Sequence, residues 1–136
     1  MKLIVDTNIF LDVILQREYL WYASARILDS ACTAQHHVLM PAHSAGTIIY
    51  IVQKNKDRDT AISALRYCLS VAHVAYIDES TVLSGLELDL HDIEDSFVAA
   101  IASREHADFI ITRNTKDFRF SPIPALSPEG FFALVE

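Results

Sequence analysis

The sequence predicts a three-layer α/β/α sandwich built on a mostly parallel sheet of about five short strands. Short, wholly apolar runs, which are typical of strands buried on both faces, alternate along the chain with longer stretches whose apolar residues recur at helical spacing. The chain has 136 residues, of which 51% are hydrophobic, so it can bury a sizeable core. At this length we expect a single domain spanning residues 1–136.

The strands are expected where apolar runs are short and continuous. The run from Leu3 to Val5 is of this kind, and it ends at Asp6. Similar runs predict the remaining strands at residues 38–40, 73–77, 109–112 and 123–126. Because helical stretches separate them, the strands favour a parallel sheet over a meander of hairpins.

The helices are predicted between these strands. Residues 9–31 form either one long helix or two helices with a break near Glu18, and further helices are expected at 42–53, 60–71, 80–88 and 92–106. Asp59 is the expected N-cap of the 60–71 helix, and the 92–106 helix carries an apolar stripe that includes Ile93 and Phe97. The last helix starts at Ser127, because serine can cap and Pro128 suits the first helical position.

Composition excludes several classes of function. The net charge of −7 at pH 7 argues against a broadly basic nucleic-acid platform, though not against a metal-dependent enzyme that acts on phosphates. No P-loop, dinucleotide-binding, α/β-hydrolase or HExxH motif occurs. The N-terminal MKLIVD reaches a carboxylate too early for a secretory signal, and no apolar stretch is long enough to span a membrane. We therefore expect a cytoplasmic protein.

Carboxylates occur where an α/β sheet places its functional groups, at the carboxyl ends of the strands. Asp6 follows the first strand, and Asp117 lies in the polar segment after the fourth. Asp92 and Asp95 share one face of the first turn of their helix, because residues three apart are neighbours on a helix. Convergent carboxylates repel one another unless a cation neutralises them. The residues thus predict a magnesium site, at which a bound ion polarises a phosphodiester and activates water.

Each of these acids also has a structural interpretation. Asp92 can be an N-cap with Asp95 as its partner at the third helical position, as in a capping box. Asp117 can initiate the turn before Phe118, and Glu94 can face solvent while it interacts with the positive end of its helix. Spacing alone does not choose between these roles and metal binding.

Three segments in order resemble the PIN domain, the fold of toxin-type ribonucleases in bacterial toxin–antitoxin pairs. They are IVDTNIFLDV, HDIEDSFVAAIA and ADFIITRNTKDF, and together they span nearly the whole chain. The resemblance implies a metal-dependent endoribonuclease that binds Mg²⁺ or Mn²⁺ at a cluster of acids. It also implies an RNA substrate and a small antitoxin partner that inserts a basic residue into the acidic pocket.

The resemblance assigns roles residue by residue. Asp6 matches the first family acid and Asp95 the acid that opens the central helix, while Asn8 matches a small polar residue beside the first acid. The TRNxxDF segment matches the last part of the pattern through Thr112, Asn114 and Asp117. These assignments imply that Asp6, Asp95 and Asp117 are catalytic metal ligands, with Asp92 as a further ligand. The supporting residues are Asn8, Thr47, Thr112, Asn114 and Glu94.

The chain departs from the family at two acidic positions. Thr47 stands where the second acid is expected, on the helix after the second strand, and Asn114 holds a position that is often Asp. Threonine can hydrogen-bond a metal-bound water but is a poor magnesium ligand, so Asp92 or Glu94 would have to replace part of the lost charge. Two basic residues beside the site are expected to bind the substrate phosphates, although solvated loop charge explains them equally well: Arg113 and Lys116.

Three functions follow from these observations. The first is a Mg²⁺- or Mn²⁺-dependent endoribonuclease, the toxin of a toxin–antitoxin pair. The second is a catalytically weakened PIN-fold RNA-binding or regulatory module, which the missing second acid favours. The third is a receiver-type phosphoacceptor domain. A homodimer or an antitoxin would need exposed apolar surface, for which four aromatic residues are candidates unless they pack in the core: Trp21, Tyr22, Tyr50 and Tyr67.

Overall fold

The computed structural model describes residues 1–33 and 35–136, and in these residues five parallel strands form one sheet in the order β3-β2-β1-β4-β5. The predicted α/β fold with a parallel sheet is therefore confirmed. The strands are β1 (Lys2–Val5), β2 (His37–Pro41), β3 (His73–Ala75), β4 (Phe109–Ile111) and β5 (Ala125–Leu126).

Helices connect the strands and cover both faces of the sheet. In the described part of the chain they are α1 (Thr7–Ile14), α2 (Trp21–Cys32), α3 (Ala42–Asn55), α4 (Arg58–Val71), α5 (Glu79–Leu88), α6 (Ile93–Arg104) and α7 (Pro128–Val135), with a short 3-10 helix at Thr115–Phe118. Ser127 caps α7, as predicted, by accepting a hydrogen bond from the amide of Gly130.

Alternation along the strands separates two cores. Leu3 and Val5 face a core that α1 to α4 and α7 complete, whereas Ile4 faces a second core formed mainly with α6. The same alternation explains why the strands are apolar throughout: a strand covered on both faces has no solvent side.

Of the two interpretations of the 9–31 stretch, the one with a break near Glu18 is confirmed: the stretch forms two helices, α1 and α2, and the backbone is left-handed at Gln16 and Tyr19 between them. Two other local predictions differ from the structure. The N-cap of α4 is Asp57 and not Asp59, because the Asp57 carboxylate accepts a hydrogen bond from the Thr60 amide. Ile93 is 41% exposed and is not part of a buried stripe, since it lies at the first position of α6, before that helix enters the core.

The strand order identifies the part of the sheet edge where a ligand can bind. Connections leave β1 towards β2 on one side, while the chain later returns to β4 on the other side of β1. Such a switch in direction opens a crevice between the carboxyl ends of the two strands. A receiver domain has the order 2-1-3-4-5, so the third hypothesis, a receiver-type phosphoacceptor, is wrong.

The surface carries several large apolar side chains. Trp21, Tyr22, Tyr50 and Tyr67 are 42%, 67%, 66% and 37% exposed, so the interpretation that they pack in the core is wrong. No helix within residues 1–33 and 35–136 is both long and apolar enough to cross a lipid bilayer.

Candidate active site

Asp6 lies in the crevice between β1 and β4. It is 6% exposed, and its backbone amide continues the pairing of the two strands by donating to the carbonyl of Ile111 at 2.9 Å. Its Oδ1 accepts from the Thr7 amide at 2.9 Å, and its Oδ2 accepts from the Thr112 hydroxyl at 2.8 Å. Burial raises the pKa of Asp6 in spite of these bonds, so the carboxylate is held rigidly in an environment that disfavours its charge.

Asp95 lies on the first turn of α6 and is also 6% exposed. Its Oδ2 is buried and has no hydrogen-bond partner among the described residues. Burial, and then the negative charges of Asp6, Asp92, Asp117 and Glu94, raise the pKa of Asp95 to about 7. Asp92 caps the helix by accepting from the Glu94 amide at 2.9 Å. Within the described residues, the Asp95 side chain does not accept the reciprocal hydrogen bond from the Asp92 amide that a capping box requires. A capping role therefore does not account for the unpaired Oδ2 of Asp95.

The segment after β4 contributes neutral groups and one more acid. Thr112 is fully buried; its hydroxyl donates to Asp6 and accepts from the Asn114 amide at 3.1 Å. Asn114 is exposed, whereas Asp117 lies half-buried in the 3-10 helix. Asp117 is close enough to raise the pKa of Asp95. The segment therefore positions Asp6 through Thr112 and adds negative potential through Asp117.

His43 is a site residue that the sequence interpretation missed. It lies on the first turn of α3, directly after the carboxyl end of β2, and its charge acts on Asp6. Its Nε2 is 3.4 Å from Glu94 Oε1, yet both ring nitrogens are buried and lack a hydrogen-bond partner among the described residues. The rule that selected Asp6, a polar side chain just after a strand, also applies to His43.

Thr47 lies one turn further along α3. Its hydroxyl is 3.4 Å from the backbone carbonyl of His43, to which it donates. The next residue after His43, Ser44, is fully buried, and its hydroxyl is 2.6 Å from that of Thr7. The Ser44–Thr7 bond joins the start of α3 to the start of α1, so the helices that carry His43 and follow Asp6 are fixed against each other.

Arg113 and Asn8 belong to a second polar cluster beside the crevice, which we call the Asp12 network. Asp12 is fully buried; its Oδ2 accepts from the Ser24 hydroxyl at 2.8 Å and from Arg113 Nε at 3.2 Å. Arg17 lies 3.4 Å from the other oxygen and 3.3 Å from Asn8 Oδ1.

The guanidinium of Arg113 is fully occupied within the Asp12 network. It donates to both carboxylate oxygens of Glu129 at 2.9 Å and to the carbonyl of Leu20 at 2.9 Å, in addition to Asp12 and Ser24. This gives Arg113 a structural role, joining α1, α2 and α7 to the loop after β4. Lys116, in contrast, is exposed and remains available to a phosphate.

The donor set fits a divalent cation held by few protein ligands. The two carboxylates are each 6% exposed, and the negative charge of Asp6 raises the pKa of Asp95. Asp95 Oδ2 is buried and has no hydrogen-bond partner among the described residues. An unpaired buried polar atom costs about 1–3 kcal/mol, which a cation would offset. Among the described residues no group of three or more His, Cys, Asp or Glu side chains is already arranged to hold a metal ion. The fit rests on the two carboxylates and on the unpaired oxygen of Asp95.

The chain is similar in sequence to one known family and in fold to several solved structures. The sequence profile of the PIN domain matches residues 2–116. The VapBC2 complex from Rickettsia felis, bound to a DNA fragment from its promoter, is 20% identical with a TM-score of 0.72, over 93% of this chain and 98% of that one. No curated protein matches the sequence.

Two further structures share this fold. A toxin–antitoxin complex from Klebsiella pneumoniae is 22% identical with a TM-score of 0.66, over 92% of this chain and 96% of that one. The sarcin-ricin loop cleaving toxin VapC20 from Mycobacterium tuberculosis is 13% identical with a TM-score of 0.65, over 79% of this chain and 86% of that one. At these identities the similarity establishes a common fold.

Proposed function

The chain belongs to the PIN domain family, and we propose that it is a divalent-metal-dependent endoribonuclease, the toxin of a toxin–antitoxin pair. The observation that carries the proposal is the pair Asp6 and Asp95 at the sheet's carboxyl edge. Both are buried, and among the described residues Asp95 Oδ2 has no hydrogen-bond partner. PIN-domain nucleases generally use divalent metals, and one structure of this fold is an RNA-cleaving toxin.

The residues of the crevice would have different roles in the proposed reaction. Asp6 and Asp95 would hold Mg²⁺ or Mn²⁺, with Asp117, Asp92 and Glu94 adding negative potential. Thr112 fixes the rotamer of Asp6 through the 2.8 Å bond to its Oδ2. When bound, the ion would supply charge stabilisation at the scissile phosphate and lower the pKa of water. In the hydrolysis, an oxygen of water forms a new bond to phosphorus while the bond to the leaving ribose oxygen breaks and that oxygen takes up a proton.

Lys116 is the basic residue that we propose for substrate binding. It is exposed on the 3-10 helix next to Asp117, so its ammonium can reach a phosphate that approaches the acids. Phosphate contacts of lysine are point-charge interactions that weaken with salt. Lys116→Gln should therefore weaken RNA binding about equally for all sequences and reduce its dependence on salt.

The test of the proposed function is cleavage of RNA by the purified protein with Mn²⁺ or Mg²⁺, compared with Asp6→Asn and Asp95→Asn. Both variants should lose cleavage, because each removes one of the two buried carboxylates. Asp29→Asn is the matched control, since Asp29 is an exposed aspartate on α2. Cleavage that persists in both site variants would contradict the proposal.

A second candidate function is a PIN-fold RNA-binding or regulatory module without effective catalysis. Thr47 favours it, because the hydroxyl is directed to the backbone of its own helix and supplies no charge where the family has an acid. Calorimetric titration separates the two functions: binding of Mn²⁺ or Mg²⁺ favours the nuclease, and RNA binding without any metal binding at millimolar concentrations favours the module.

An antitoxin protein is the proposed partner. The aromatic side chains Tyr19 and Tyr22, which are 90% and 67% exposed around the start of α2, provide apolar surface of the kind that protein partners cover. Co-expression with the product of the adjacent gene should yield a complex with suppressed RNA cleavage. The homodimer stays a prediction, which light scattering on the isolated chain would check.

A further inference from the structure

We propose that His43 is a nitrogen ligand of the divalent cation and takes the place of the carboxylate that Thr47 does not supply. This inference rests on the proposed function, because it concerns the same metal site at the carboxyl edge of the sheet. It assigns to one residue the selection of Mn²⁺ and related transition ions over Mg²⁺.

The first observation is the position of the ring. His43 lies on the first turn of α3, which begins directly after β2, and β2 is the neighbour of β1 in the sheet. The ring therefore lies at the same carboxyl edge of the sheet as Asp6. Its Nε2 is 3.4 Å from Glu94 Oε1, and Glu94 lies on α6, the helix that carries Asp95. His43 and Thr47 are one turn apart on α3, so the two side chains share a helix face.

The second observation is that the ring nitrogens are orphaned. Neither Nδ1 nor Nε2 of His43 has a hydrogen-bond partner among the described residues, and both are buried. A histidine that only packs in a core normally has at least one nitrogen bonded. Asp95, at the same edge of the sheet, is 6% exposed, and its Oδ2 likewise has no hydrogen-bond partner among the described residues. A single cation that reached both atoms would satisfy this nitrogen and this oxygen together.

The identity of the donor sets the preference for the ion. Carboxylates and waters suit Mg²⁺ and Mn²⁺, whereas imidazole suits transition metals. Mg²⁺ is bound by oxygen ligands and gains little from a nearby nitrogen. Replacing a family carboxylate by His43 therefore weakens Mg²⁺ binding while retaining Mn²⁺ and Co²⁺.

Calorimetric titration of the EDTA-treated protein with Mn²⁺ and with Mg²⁺ tests this assignment. Wild type should bind Mn²⁺ at least about tenfold more tightly than Mg²⁺. His43→Ala should lose about tenfold or more in Mn²⁺ affinity, a loss like that seen when metal-site partners are removed, with Mg²⁺ affinity changed by less than about twofold. Thr47→Asp, which restores a carboxylate one turn away, should strengthen Mg²⁺ binding and so reduce the preference of the site for Mn²⁺ over Mg²⁺.

The matched control is His106→Asn. His106 is exposed at the opposite edge of the sheet, just after α6, and has a φ of 53° that asparagine tolerates. This variant should bind both ions like wild type. Zn²⁺ added to ¹⁵N-histidine-labelled wild type gives a readout that needs no variant: the ring nitrogen shift of His43 should change while that of His106 does not.

The outcomes separate the two proposals. Unchanged Mn²⁺ affinity in His43→Ala, or an unchanged ring shift with Zn²⁺, overturns the role of His43 and leaves the nuclease proposal intact if RNA is still cleaved. Absence of any metal binding by wild type, together with absence of cleavage, overturns both.

Discussion

Two buried aspartates in this protein have opposite surroundings. Asp12, in the Asp12 network, is fully buried and accepts hydrogen bonds from Ser24 and Arg113. Asp95, at the carboxyl edge of the sheet, is almost as buried, but one of its oxygens has no partner in the described residues. The nearest charges that act on Asp95 are negative.

The comparison distinguishes a carboxylate that stabilises the fold, Asp12, from one that is suited to binding a cation, Asp95. A buried charge is tolerated when it is paired and hydrogen-bonded, and removing one partner of such a pair is strongly destabilising. A buried carboxylate surrounded by others instead opposes folding until a cation or a proton neutralises it. Substitution of the two residues should therefore change stability in opposite directions.

Loss of Asp12 should have the largest effect. Asp12→Asn is expected to lower the free energy of unfolding by about 3 kcal/mol, because the guanidinium of Arg113 is left partly uncompensated in a buried site. Urea denaturation monitored by circular dichroism measures the change. Asp29→Asn, which alters an exposed aspartate, should stay within about 0.5 kcal/mol of wild type; an equal loss in both variants would argue against a structural role specific to Asp12.

Loss of Asp95 should have a smaller effect of opposite sign. At pH 8 in EDTA, Asp95→Asn is expected to raise the free energy of unfolding by about 2 kcal/mol, because each unit of pKa shift corresponds to 1.36 kcal/mol and the amide retains part of the cost of a buried polar group. The same urea denaturation experiment shows whether the free energy of unfolding rises or falls in Asp95→Asn. A loss of stability would mean that the Asp95 carboxylate is satisfied in the native protein.

The pH dependence sharpens the comparison further. The pKa of Asp95 is raised to about 7 in the folded protein, above 3.8 for the free side chain, so the folded state binds a proton more tightly. The stability that this proton contributes is complete below about pH 4 and is lost as the pH rises through 7. Without metal, wild type should lose about 1 kcal/mol relative to Asp95→Asn between pH 6 and pH 8. Parallel profiles for the two proteins would contradict the raised pKa.

Loss of the exposed contact of the Asp12 network, the ion pair between Glu129 and Arg113, should have the smallest effect on stability. Glu129 forms two bonds to Arg113, but its side chain is 54% exposed. Glu129→Gln is expected to cost about 0.5–1 kcal/mol, and less at high salt, since exposed ion pairs contribute little and are screened. Thermal unfolding at low and at high salt measures both. A cost as large as that of Asp12→Asn would show that the network depends on its exposed end.

The sequence allowed the sheet and all five strands to be predicted, and it offered N-capping as one of two roles for Asp92, because apolar runs and capping residues are local signals. It also indicated Asp6 and Asp95 through their places after β1 and at the start of α6. The Asp12 network could not be predicted in this way. Its members come from α1, α2, α7 and the loop after β4, and only the tertiary fold brings them together.

Two site residues show the limits of sequence interpretation in more detail. Arg113 follows β4 and therefore looked like a phosphate ligand, but Asp12 and Glu129 occupy its guanidinium. His43 follows β2 and satisfies the rule that selected Asp6, yet a histidine without zinc-type spacing was not considered a ligand. In both cases the number of hydrogen-bond partners, which the sequence does not reveal, decides the interpretation.

The most direct test measures the free energy of unfolding of wild type, Asp12→Asn and Asp95→Asn at pH 8, in EDTA and with Mn²⁺ at tenfold its dissociation constant. Wild type should gain about 1.4 kcal/mol from the ion, and Asp12→Asn should gain as much from a lower starting value. Asp95→Asn should start above wild type and gain little. Equal stabilisation of wild type and Asp95→Asn by Mn²⁺, or a common loss of stability for both variants in EDTA, would contradict the assignment of Asp95 to a metal site.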